Sequence, residues 1–154
     1  MQHLGADQRG AGRLGETYLD RLSARGDRLP GCRPTLNALR RRFRLGVVTN
    51  GIDRVQRARL AASGLAPLFD VIVTSQGCGY AKPDPRILHV ALEAMHTAAR
   101  HAVYVGEDPV TDGAAARAAG VRFVWIEHEG RDHGHAVPSA RRRIGRLREL
   151  LSVL

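Results

Sequence analysis

Three features of the 154-residue sequence predict an α/β fold built on a parallel sheet. Four short apolar runs (45–48, 71–74, 102–105 and 121–126) are each followed by a helical pattern or a loop. Polar clusters fall where three of these runs lead: Thr49-Asn50, Lys82, and Glu107-Asp108-Asp112. Glycines and turn residues separate the segments. In open α/β sheets a ligand sits at the carboxyl ends of the strands, so these clusters are the candidate site.

The elements follow in order. Residues 1–15 are rich in glycine and polar residues and are expected to be poorly ordered. Residues 16–25 place Tyr18, Leu19 and Leu22 at helical spacing. Residues 29–34 read as a turn. Residues 35–43 form an amphipathic pattern with Leu36, Leu39 and Phe43 on one face. After the first strand, Thr49, Asn50 and Gly51 leave backbone N–H groups at the start of a helix, which suits an anion. A simple Asn-Gly turn is the plainer reading. That helix is expected over 53–63, ending at Gly64. After the second strand the chain reaches Lys82 through Ser75, Gly77 and Gly79. Asp84 as cap and Pro85 as first helical residue then start a helix to about Met95.

The third strand runs into Glu107, Asp108 and Asp112, then an alanine-rich helix that stops at Gly120. Three carboxylates in one loop repel each other and are costly to desolvate, and Mg²⁺ would relieve both problems. The plainer alternative is a solvated acidic turn with Asp112 or Thr111 as helix cap. The polar loop 127–137 carries His128, His133 and His135, in no recognisable zinc pattern. Residues 139–154 place Ile144, Leu147, Leu150, Leu151 and Leu154 at helical spacing opposite a row of arginines. The expectation is one basic amphipathic helix docked on the core.

Composition narrows the function classes. Hydrophobic residues make up 44% and charged residues 25%, ordinary for a globular domain. No run is long enough for a membrane helix, and residues 1–15 lack the apolar core of a secretory signal. The two cysteines, Cys32 and Cys78, are isolated, so reduced thiols and a cytoplasmic location are expected. The net charge of +9 is spread along the chain and aromatic content is 5%, so nucleic acid is not the expected partner. Lys82 is the only lysine among 24 basic residues. Where a chain otherwise uses arginine, a lone lysine marks a place that needs a compact ammonium.

Together the clusters supply hydroxyl and N–H donors, one cation and carboxylates. These are parts that fit a phosphate with Mg²⁺. At this point the chain resembles the haloacid dehalogenase (HAD) superfamily of hydrolases. The resemblance is carried by VVTNG (47–51), SQGCGYAKPDPRIL (75–88) and VGEDPVTD (105–112), in order and suitably separated. It implies a Rossmann-like parallel sheet with flanking helices, lacking the first core strand and most of the helical cap. Residues 1–28 would be a disordered start and cap remnant, 29–138 the core, and 139–154 the C-terminal helix. By the same resemblance Thr49, the Asn50 backbone and Lys82 bind phosphate. Lys82 and Asp112 serve catalysis, and Glu107, Asp108 and Asp112 hold Mg²⁺.

The family's nucleophilic DxDxT motif has no match. The acids before Thr49 are Asp7, Glu16, Asp20 and Asp27, and none follows an apolar strand. The expected function is a Mg²⁺-dependent phosphatase acting on a small phosphorylated metabolite. The chain is expected to be N-terminally truncated and inactive alone, with a missing segment or a partner chain completing the sheet. The alternatives are a non-catalytic phosphate- or Mg²⁺-binding relative and a basic nucleic-acid-binding domain.

Overall fold

The computed structural model describes residues 28–127 and 142–154, together with Asp20 and Gly26. The remainder of the expected 16–25 helix, the 128–137 loop with its three histidines, and Asp7, Glu16 and Asp27 lie outside the described residues.

Among the described residues, five parallel strands form two sheets. In the first, β1 (Gly46–Thr49) pairs with β2 (Val71–Thr74), with Val48 opposite Val73. In the second, β3 (Val103–Gly106) pairs with β4 (Arg122–Ile126), and β4 pairs with β5 (Arg142–Ile144). The helices are α1 (Cys32–Arg40), α2 (Asp53–Ala62), the single turn α3 (Ser75–Cys78), α4 (Arg86–Ala94), α5 (Asp112–Ala118) and the short α6 (Leu150–Val153). The four expected strands are therefore present and parallel, each within one residue of its expected end.

Strand β4 shows why the sheet is covered on both faces. Its side chains alternate, and both sets are buried. Phe123 and Trp125 join Ile87, Leu88, Ala115 and Ala116 in one cluster under α4 and α5. Val124 and Ile126 join Leu39, Ile144 and Leu150 in another under α1 and α6. Ile87 and Val124 have no exposed surface, and each side chain so buried contributes about 1.5–3 kcal/mol. Helix α1 begins three residues earlier than expected. Thr35 is buried because its Oγ1 donates to the Gly31 carbonyl at 2.8 Å. The expected Phe43 lies past the helix end and is exposed.

The C-terminal segment departs from the single helix expected over 139–154. Ile144 pairs with Ile126 instead, and the Ile144 carbonyl accepts from Glu127 N at 2.9 Å. The edge of β4 offered a row of unpaired backbone groups, and pairing them overrode the helical spacing of the leucines. Arg143 is tied to the Glu127 carboxylate and lies 5.0 Å over the Trp125 ring. After Gly145 and Arg146, the turn Leu147–Glu149 leads to α6. Leu150 is buried, but Leu151, expected on the same apolar face, is exposed.

Strands β1 and β3 belong to different sheets, and no backbone hydrogen bond joins them among the described residues. Their connection runs through side chains: Tyr104 Oη, from β3, donates to the Val48 carbonyl of β1 at 3.3 Å. That junction is where the polar clusters meet.

Candidate active site at the carboxyl ends of β1 and β3

Lys82 reaches the junction from the loop between α3 and α4. Its Nζ donates to Asp112 Oδ1 at 2.7 Å, Tyr104 Oη at 2.9 Å and the Val48 carbonyl at 3.4 Å. An ammonium has three protons, and three acceptors meet it. The Lys82 and Asp112 side chains retain only 11% and 7% exposure, so this is a buried pair. Burial works against the charge of Lys82, but the Tyr104 phenol and the Asp112 carboxylate outweigh it and hold its pKa above the ordinary lysine value. Burial pushes the Tyr104 hydroxyl up as well, which keeps it a neutral phenol at physiological pH.

The backbone of Lys82 is fixed by Asn50. The Asn50 side chain accepts from Lys82 N at 2.9 Å and donates to the Lys82 carbonyl at 3.0 Å. The Lys82–Pro83 peptide that follows is cis. Asn50 thus latches the loop after β1 onto the lysine loop. A second latch lies beside it. Gly51 N donates to Ser75 Oγ and Asp53 N to Gln76 Oε1, each at 2.9 Å. Asp53 Oδ1 accepts from Thr74 Oγ1 at 2.7 Å, and its carboxylate takes both contacts from Arg57 Nε. These bonds fix the turn that carries half-buried Thr49, whose hydroxyl makes a 3.3 Å contact to the Asn50 carbonyl.

Asp112 is held as firmly as Lys82. Its Oδ2 accepts from Glu107 N at 3.0 Å and from Asp108 N at 3.1 Å, while Oδ1 takes Lys82 and, at 3.3 Å, Tyr104. The space it fills depends on Gly106: a Cβ there would lie 2.6–2.7 Å from the Asp112 Cβ and Cγ. Asp108 has another task. Its Oδ1 accepts from Val110 N and Thr111 N, and its Oδ2 from Thr111 Oγ1. Asp108 therefore caps the turn into α5, the task that the plainer alternative assigns to Asp112 or Thr111.

The structure thus brings together Lys82, Asp112 and Asn50, with Thr49 adjacent. It does not gather Glu107, Asp108 and Asp112 around one point. Among the described residues no three acidic, histidine or cysteine side chains form a metal cluster. Magnesium demands near-octahedral oxygen ligation, and both Asp112 oxygens already accept from the protein. The described residues therefore do not complete a magnesium site, and Asp112 is the carboxylate that pairs with Lys82. Of the early acids, Asp20 is exposed and sits 3.9 Å from Arg54.

Sequence reasoning missed Tyr104 and the Asp53–Thr74–Gln76 latch. Tyr104 had a signal: it is the one aromatic residue in an otherwise aliphatic strand leading to the acids. The latch had none, because its members are common polar turn residues.

Parallel strands, a buried lysine–aspartate pair and a Thr-Asn turn thus lie together at the strand ends. The chain belongs to the haloacid dehalogenase-like hydrolase family, whose model matches residues 12–126. A phosphoserine phosphatase of Thermus thermophilus is 40% identical over 114 residues, covering 73% of this chain and 45% of that protein. Among solved structures, a 2-haloacid dehalogenase of Pseudomonas syringae superposes with a TM-score of 0.80 at 33% identity, covering 97% of this chain and 64% of that one. The HAD-hydrolase YfnB of Bacillus subtilis, solved bound to magnesium, gives a TM-score of 0.83 at 27% identity, covering 97% and 65%. The chain spans about half the length of the curated relatives it matches.

Proposed function

We propose that this chain supplies the phosphate-binding and charge-neutralising half of a phosphomonoester hydrolase site. The observation that carries the reading is the Lys82–Asp112 pair, buried at the carboxyl ends of β1 and β3. Lys82 would neutralise a phosphate and an attacking carboxylate. Asp112 would keep the ammonium aimed. Thr49 and the Asn50 backbone would hold phosphate oxygens. Preorganised charge of this kind is what phosphoryl transfer requires of a protein. Phosphatases among the relatives support phosphate esters as the substrate class. The dehalogenase likeness is a likeness of fold and family, and the acidic loop after β3 favours the phosphatase branch.

The nucleophilic carboxylate would come from a further strand pairing between β1 and β3, contributed by an N-terminal segment or a partner chain. Covalent catalysis has no starting atom without it, so the 154 residues alone are proposed to be inactive. Magnesium is proposed as the cofactor on the strength of a magnesium-bound neighbour. Glu107 would contribute to its site, and the ion would stabilise charge developing on the phosphate. A non-catalytic phosphate-binding relative is the second reading, favoured by the lack of a metal cluster among the described residues.

The test is hydrolysis of a small phosphomonoester by the protein isolated from its source, with and without magnesium. Lys82→Ala in that protein is expected to lower kcat/KM by at least about 100-fold, as loss of a preorganised charge does. Magnesium-dependent turnover by the 154-residue chain that Lys82→Ala abolishes would overturn the need for a further strand. Turnover that survives Lys82→Ala would overturn the role of the lysine.

A further inference from the structure

We propose that Tyr104 is a positioning residue: its hydroxyl fixes where the Lys82 ammonium points, at the junction where it bonds β3 to the Val48 carbonyl of β1. Its value to catalysis rests on the phosphohydrolase reading above. The placement itself rests on geometry alone.

Lysine carries a compact charge on a flexible four-carbon stem. Asn50 holds only its backbone. At the far end of the stem, Asp112 Oδ1 supplies the shortest contact, and one acceptor cannot set the direction of a three-proton head. The second close acceptor is Tyr104 Oη at 2.9 Å, and the third, the Val48 carbonyl, is distant at 3.4 Å. The tyrosine hydroxyl has one proton of its own, with the Val48 carbonyl and Asp112 Oδ1 each 3.3 Å away. It therefore closes a ring of contacts that includes both partners of the buried pair. The phenol is held in turn: its ring stacks on Phe123 with centroids 6.3 Å apart, and the Lys82 Nζ lies 5.6 Å from its centroid. Without the hydroxyl the ammonium would keep Asp112 and one long contact, and would be free to swing about that pair.

Lys82 is the only lysine, so protein labelled with ¹⁵N-lysine gives a single side-chain Nζ signal. The experiment compares that signal, and the exchange rate of its protons, in the wild type, Tyr104→Phe and Tyr80→Phe at one near-neutral pH. Phenylalanine keeps the ring and its stacking, so a role confined to packing would leave the signal in place. The expected result is a shifted Nζ signal and ammonium-proton exchange faster by about threefold or more in Tyr104→Phe, as for loss of one hydrogen bond, with Tyr80→Phe unchanged. In the wild type, NOEs between the Lys82 side chain and the Tyr104 ring protons are expected too. They check the placement even if the variant folds poorly. An unmoved Nζ signal in a folded Tyr104→Phe, or absent NOEs, would overturn the proposal.

Titrating inorganic phosphate into the same samples extends the test to the site. Tyr104→Phe is expected to weaken phosphate binding about threefold to tenfold, and equal affinity would overturn the positioning role. If phosphate does not bind the wild type, the phosphate reading of the site fails, while the Nζ comparison still decides the place of Tyr104.

Discussion

Asp112 spends both carboxylate oxygens on the protein: two backbone N–H groups on one side, an ammonium and a phenol on the other. Removing its charge would strand Lys82 in a site where the side chain keeps 11% exposure. Breaking a buried pair in this way costs about 3–5 kcal/mol. Asp112→Asn is therefore expected to lower the urea midpoint sharply, and a loss below about 1 kcal/mol would mean that the pair is better solvated than its burial indicates. Asp53 gives a prediction on the acid side. Arg57 first, and the Thr74 hydroxyl second, hold its carboxylate below the ordinary range. A depressed folded pKa adds stability that is present above the unfolded value near 4 and is lost as pH falls through the folded one. Asp53→Asn should therefore flatten the acid limb of a stability-versus-pH curve below about pH 4. An unchanged limb would contradict the Asp53–Arg57–Thr74 latch.

At the scale of elements, the turn from β3 into α5 shows what a close approach demands. Gly106 lies against the Asp112 side chain, leaving no room for a Cβ. Gly106→Ala is expected to cost about 1–3 kcal/mol by overpacking and, by pushing Asp112 aside, to loosen Lys82. Denaturation combined with the Lys82 ¹⁵N signal checks both effects, and a stable variant with an unmoved lysine would contradict the account. The strands were legible because short apolar runs ending in polar clusters carry a strong local signal, as at Val71–Thr74. The C-terminal segment was misleading because its leucines repeat at helical spacing. Pairing of Ile144 with β4 is decided by an edge more than a dozen residues away, which no local window contains. The site was half legible. Lys82 stood out as the lone lysine and Asp112 as one of three acids. Which acid would face inward depended on tertiary packing: Asp108 turned to cap its own loop, and Asp112 turned to Lys82.

At the scale of the molecule, β1 and β3 lie in separate sheets and do not pair with each other. Tyr104 bridges that junction by side chain alone. An added parallel strand would pair both edges, and an unpaired edge is an aggregation hazard. On the proposed reading, a strand added between β1 and β3 would both join the two sheets and bring a nucleophile to Lys82. No helix among the described residues is long and apolar enough to cross a membrane.

On the proposed reading, Lys82 and the turn after β1 form a phosphate-binding site. Calorimetric titration of inorganic phosphate into the 154-residue chain and its Lys82→Ala variant tests it most directly. The expected result is a single saturable site in the wild type that weakens at least about tenfold, or about 1.4 kcal/mol, in the variant. Equal binding by the two proteins, or none by the wild type, would contradict it.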